Sequence, residues 1–148
     1  KMHDDELLFA ILRWSAIPGC SRHHWGTDMD VFDEAAVPTG YNVQLTAAEA
    51  TGSGPFAPLH DWLDTYLASS DSEFFRPYAL DTGGIAPERW HLSHRPTAKR
   101  YEQCLNETRL IDWLMTQDIA LKTSIYKHWH TLFHRYVLVN RTAGSFQE

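Results

Sequence analysis

Ser21-Arg22-His23-His24-Trp25-Gly26-Thr27-Asp28-Met29-Asp30 decides the reading of this chain, because it gathers imidazoles and carboxylates into one short segment. Residues 20–26 are polar and turn-like, and Thr27-Asp28-Met29-Asp30-Val31-Phe32 alternates as a short strand does. Far downstream, Glu88-Arg89-Trp90-His91 supplies a further acid and imidazole. Hydrolytic zinc sites commonly use three protein ligands drawn from imidazole and carboxylate and leave a position for water. His23, Asp30 and His91 meet that count, and Glu88 is a carboxylate outside the set that can take a proton from the attacking water. Side chains alternate along a strand, so residues 88 and 91 face one site only if the chain turns or bulges at Arg89-Trp90. The same alternation puts Asp28 and Asp30 on one face, and spacing leaves either open as the ligand.

Outward from this segment the periodicities change. Asp4 to Trp14 carries Leu7, Leu8, Ile11, Leu12 and Trp14 at mostly helical spacing behind acidic residues, which predicts a first helix ending near Pro18-Gly19. Tyr41 to Leu45 reads as a second strand. After the break at Thr51-Gly52-Ser53-Gly54-Pro55, the recurrence of Leu59, Trp62, Leu63, Tyr66 and Leu67 predicts an amphipathic helix. Asp81-Thr82-Gly83-Gly84 is a turn, and Ile85 to Ser93 reads as a strand carrying Glu88, Trp90 and His91. From Thr97 to Asn140 the pattern is that of two or three helices, and Arg141 to Glu148 is a tail without periodicity.

Composition narrows the class. The 148 residues, 43% hydrophobic and 22% charged, fit one globular domain and argue against disorder or a coiled coil. A formal net charge of −6 gives no field suited to phosphates, so no nucleic-acid partner is expected. No apolar run approaches the roughly 20 residues that cross a bilayer, so no transmembrane segment is expected. No signal-peptide pattern opens the chain, and a start at Lys1 rather than Met suggests a processed or trimmed chain. Cys20 and Cys104 are too few for a disulfide framework, lack C-x-x-C spacing, and can pair or stay free.

Ser21 to Asp30 resembles the S-x-H-x-x-G-x-A-x-D motif, and Glu88 to His91 the E-P-W-H motif, of the zinc D-alanyl-D-alanine carboxypeptidase family. That family includes the vancomycin-resistance carboxypeptidases and shares its fold with the amino-terminal signalling domain of hedgehog. The resemblance covers residues 7–96. It implies an α+β, hedgehog/DD-peptidase-like fold with a small antiparallel sheet carrying a zinc site and helices packed around it. Residues 1–148 would then be a single zinc metallopeptidase domain lacking its N-terminal part. The resemblance also assigns roles: His23, Asp30 and His91 as ligands of Zn2+, Glu88 as catalytic base, and Ser21 as a substrate-side serine. Trp90 matches the aromatic that backs the site, and a packed core indole is equally compatible.

The sequence departs from the family pattern in three places. Asp28 stands where a small residue is usual, although the family position still favours Asp30 as the ligand. Arg89 replaces the usual Pro, which loosens the turn. An upstream arginine in a segment like S-G-x-R-S, a clamp on the scissile carbonyl or substrate carboxylate, is missing; Arg13 and Arg22 are the nearest substitutes, and each reads as a solvated surface charge.

The implied activity is zinc-dependent hydrolysis of the D-alanyl peptide bond of peptidoglycan stem peptides, in the periplasm or secreted into the cell envelope. The partner is then a peptidoglycan peptide, and the sequence leaves oligomeric state open. Two alternatives stand beside it: a peptidoglycan endopeptidase or lysin, and a zinc-stabilised binding module without turnover. Retention of Glu88 argues against the module, and the missing arginine argues for it. His24 and His94 read as bystanders near the ligands. His130 and His134 have the i, i+4 spacing that can hold one metal, but read as a polar helix face for want of a third ligand. Asn106-Glu107-Thr108 and Asn140-Arg141-Thr142 match glycosylation acceptors, a pattern without meaning in a bacterial protein.

Overall fold

Helix α1, Asp4–Leu12, begins where His3 accepts a hydrogen bond from the Asp5 amide and Glu6 reaches back to the His3 amide, with acids filling the first turn. The computed structural model describes residues 2–139; the tail and the acceptor pattern at Asn140 lie outside the described residues. α1 ends well before Pro18. Arg13 leaves the helix axis to bind Asp81 and the Gly84 carbonyl, which fixes the following loop against the turn at Asp81.

Three helices follow the sheet: α4 (Arg95–Cys104), α5 (Glu107–Thr116) and α6 (Lys122–Leu132), the last continuing into a π-helical turn over Phe133–Val137. Leu8 and Leu12 of α1, Ile111 and Leu114 of α5, and Ile125, Trp129 and Leu132 of α6 close over one apolar cluster with Phe133. Burying each such side chain contributes roughly 1.5–3 kcal/mol, so this cluster is the main source of stability beside the sheet. Cys20 lies in it and Cys104 is exposed; both are free thiols, and burial pushes Cys20 up to about 12.

Two further helices, the short α2 (Ala47–Ala50) and α3 (Ala57–Leu67), lie between the first two strands in sequence. α3 buries Ala57, His60 and Leu63, whereas Trp62 and Tyr66, expected on its apolar face, stack on each other at 5.5 Å and stay exposed. The strand expected at Tyr41–Leu45 is absent. The Glu49 carboxylate takes the amides of Gln44 and Thr46 and the Tyr41 hydroxyl, curling the segment onto the start of α2, and Leu45 adopts φ 54, outside the β region.

The sheet is antiparallel, in the order β1-β3-β2, with β1 at Asp28–Asp30, β2 at Phe74–Phe75 and β3 at His91–His94. The strand expected over Ile85 to Ser93 is thus confined to its end, because residues 85–90 run as loop and turn. β2 has no counterpart in the sequence reading, since two residues are too few to show alternation. The architecture is α+β: a small sheet with helices packed around it.

Candidate metal centre

Ser21 caps a single 3-10 turn, Arg22–Trp25, by accepting the His23 amide, and this turn carries His23. Gly26 ends it at φ 68, a left-handed conformation that glycine adopts without steric cost, and the chain then enters β1. The β1–β3 register pairs Asp30 with His91 and Asp28 with Ser93. Residues directly opposite in an antiparallel pair have Cβ atoms about 4.5–5.5 Å apart, and diagonal neighbours still touch. The His91 imidazole therefore meets Asp30 across the ladder and Asp28 on the diagonal.

The outcome is a cluster with a front and a back. In front, one donor atom each from His23, Asp30 and His91 lie within 4.8 Å of one another. His23 Nε2 is 3.5 Å from Asp30 Oδ2, and His91 Nδ1 is 3.4 Å from Asp30 Oδ1. A tetrahedral zinc with bonds of 2.0–2.2 Å separates its ligand atoms by about 3.4 Å. Behind, His91 Nε2 lies 2.9 Å from Asp28 Oδ1. Asp28 is ionised, since His91, Thr27 and Arg22 overcome its burial and bring its pKa down to about 2. It therefore accepts the Nε2–H proton, and this hydrogen bond assigns the tautomer with a lone pair on Nδ1. That Nδ1 is buried and makes no hydrogen bond, and carboxylate oxygens of Asp30 and Glu88 face it at 3.4 and 3.3 Å. A buried ring nitrogen free of hydrogen bonds, set beside an imidazole and carboxylates, is a donor set that zinc accepts, so these residues fit zinc.

Arg22 is not a solvated surface charge. Its side chain is fully buried, with Nε donating to Asp28, one terminal nitrogen to Glu102 and the other to Ser93 Oγ, each at 3.0 Å, and its guanidinium lies over the Trp25 ring. It secures the back of the cluster. Arg13 too is engaged, in its pair with Asp81. The two carboxylates of β1, alike in spacing, differ in burial: the Asp28 side chain is 0% exposed and the Asp30 side chain 29%. Asp28 is consumed by Arg22, Thr27, Ser93 and His91, which leaves Asp30 facing the cleft.

Glu88 sits in the loop before β3, and the turn required at Arg89-Trp90 is present. Its Oε2 comes 3.3 Å from His91 Nδ1, and its amide donates to the Tyr78 carbonyl. Arg89 does not loosen this turn. Its side chain binds the Ala50 carbonyl of α2 and Asp61 and Asp64 of α3, and Arg76 donates to the Arg89 carbonyl, so contacts to both helices anchor the turn. Burial disfavours the His91 imidazolium, but Asp28 and Glu88 outweigh it and hold its pKa above the usual histidine value.

A cleft of about 200 Å³ opens over the cluster, and Ser21, His23, Asp30, Glu88 and His91 all line it. Trp90 lies on the cleft wall and is nearly buried. Trp14, 75% exposed at the mouth, and Tyr78, edge-on to His91 at 4.8 Å, complete the wall. Tyr78 is a contribution that the sequence reading missed, since it lies in a loop without periodicity and no local signal marks it; the sequence singles out Asp28 and Arg22, but as an alternative ligand and a surface charge and not as the support behind His91. His24 is exposed outside the cluster, and His94 bonds Thr97 near the start of α4.

Comparison with known proteins places these residues in context. A family model described as VanY, D-alanyl-D-alanine carboxypeptidase, matches residues 2–97, a span that holds the whole cluster and stops short of α5 and α6. A Haemophilus influenzae protein described as "Uncharacterized protein" is 29% identical over 124 residues, covering 82% of this chain and 93% of its own length. No solved structure matches.

Proposed function

The chain belongs to the VanY family of D-alanyl-D-alanine carboxypeptidases, and from that premise we propose that it is a zinc peptidase releasing terminal D-alanine from peptidoglycan stem peptides. The observation that carries the zinc is the buried, unpartnered Nδ1 of His91 facing His23 and Asp30. Zinc held by these three residues supplies a Lewis acid for the scissile carbonyl and the attacking water. Glu88 accepts the proton of that water at its carboxylate and returns it to the leaving amine. Asp28 keeps the His91 ring in one tautomer and orientation, and Ser21, at the cleft edge, contacts the substrate. The hedgehog-like form of the fold follows from the same premise.

The substrate lies outside the cytoplasmic membrane, so the protein works in the periplasm or as a secreted protein. Among the described residues no helix is long and apolar enough to cross a membrane. A second reading, cleavage of an internal peptidoglycan bond, is favoured by one feature: among the described residues, those lining the cleft include no Arg or Lys to hold a terminal carboxylate.

The test incubates zinc-loaded protein with muropeptides ending in D-Ala-D-Ala and measures free D-Ala. Release is expected, and His23→Ala, Asp30→Ala and His91→Ala should each abolish release and lose the zinc equivalent held at the cleft. Shortened muropeptides without free D-Ala would move the assignment to an endopeptidase. Zinc binding without turnover on either substrate would leave only the binding module.

A further inference from the structure

We propose that Glu107, His130 and His134 form a second divalent-metal site, taking zinc, that ties the start of α5 to the end of α6. The third ligand that the i, i+4 histidine pair lacks in sequence comes from another helix. Glu107 Oε1 lies 3.0 Å from His130 Nδ1, and Glu107 Oε2 lies 3.4 Å from His134 Nε2. One donor atom from each of the three lies within 4.8 Å of the others, and the two imidazole centroids are 4.5 Å apart. Ligand atoms around tetrahedral zinc stand about 3.4 Å apart, so little movement is needed to seat an ion.

The donors are held by contacts of their own. Asn106 caps α5 by accepting the Arg109 amide, and the indole of Trp129 donates to the Glu107 carbonyl at 3.0 Å, fixing the residue that carries the carboxylate. Trp129 is buried, precedes His130 and packs against Phe133, whose ring meets His134 edge-on at 5.3 Å. His134 stands in the π-helical turn, a local widening frequent at functional sites. As ion pairs alone the arrangement is poor, because two imidazolium ions this close repel and share one carboxylate. Neutral imidazoles leave a nitrogen lone pair on each ring for an ion. Two imidazoles and a carboxylate suit zinc, nickel or copper and not the hard ions magnesium and calcium. The cluster lies outside residues 2–97 and away from the catalytic cleft, so it serves assembly of the helices and not peptide cleavage.

Zinc chloride titrated into the metal-stripped full chain, read by calorimetry and by the thermal unfolding midpoint, tests this. Wild type should bind two equivalents and gain a higher midpoint, because an ion bound only by the folded state stabilises it. The double variant H130Q/H134Q should bind one equivalent fewer, keep its circular dichroism spectrum and keep D-Ala release unchanged. Glu107→Gln should weaken the same equivalent, and Asp30→Ala should spare it. If Asp30→Ala binds one equivalent that the added H130Q/H134Q changes remove, the surface site stands whether or not the cleft binds zinc. If H130Q/H134Q binds as much zinc as wild type, with the same rise in midpoint, the proposal is wrong.

Discussion

The molecule carries two clusters made of the same parts, two imidazoles and a carboxylate, and they differ in what stands behind them. At the cleft, His91 is buried, Asp28 holds its far nitrogen and a buried arginine holds Asp28. At the end of α6, His130 is 82% exposed in its side chain, and no acid other than Glu107 faces the pair among the described residues. Donor identity and spacing are therefore shared, whereas a fixed tautomer, a buried imidazole and a spare carboxylate belong to the cleft alone. Those extra features separate the site proposed for catalysis from the site proposed to hold two helices together.

The sharpest way to break this comparison is to remove the spare carboxylate. Glu88→Gln should retain zinc and fold but lose about 100- to 10,000-fold in turnover, roughly 3–5 kcal/mol of barrier, whereas Glu107→Gln should leave turnover alone. Rates of D-Ala release at equal zinc loading decide it, and wild-type turnover in Glu88→Gln would remove that residue from the mechanism.

Removing the back of the cleft cluster comes next. Arg22→Met leaves Asp28 buried without its cation, and breaking a buried pair this way costs about 3–5 kcal/mol. Urea denaturation should show that loss, while the same change at Lys127, which is largely exposed where it pairs with Asp5, should cost no more than about 1 kcal/mol. Similar losses for the two would mean that Arg22 is solvated after all.

His60 offers a control for burial without supporting carboxylates. It is 1% exposed, both ring nitrogens lack partners, and burial with Arg76 and Arg89 outweighs Asp61 and Asp64 to bring its pKa down to about 4. A folded value below the unfolded one means the neutral ring is stabilising above about 6.5, and that contribution fades as pH falls toward 4. Its contribution to stability should shrink by roughly 3 kcal/mol across that window. Denaturation at pH 7 and pH 4 should show a smaller decline for His60→Leu than for wild type. Equal slopes would refute the assignment.

The smallest effect tests the tautomer. Asp28→Asn keeps the shape but weakens the acceptor behind His91, and supporting acceptors of this kind change metal affinity by about 10- to 100-fold. Competition with a chromophoric chelator should show zinc binding weakened by that factor at the cleft and unchanged at the α6 site. Unaltered affinity at the cleft would demote Asp28 to a purely structural partner of Arg22.

Much of this could be read without coordinates, because it is local. The turn needed at Arg89-Trp90 follows from strand alternation, the helices from their period, and the shared face of Asp28 and Asp30 from side-chain geometry. The donors at His23, Asp30 and His91 and the spare acid at Glu88 were visible as residue types. Other features lay beyond any local pattern. Arg22 reads as surface until α4 brings Glu102 and β3 brings Ser93 to it. Glu107 looks like a helix-starting acid until α6 folds across it. Strand and helix periods report neighbours within a few residues, and therefore they give the donor list. Whether a charge is buried, and which of two equivalent carboxylates is spent on an arginine, depends on partners from distant segments, and only packing brings those together.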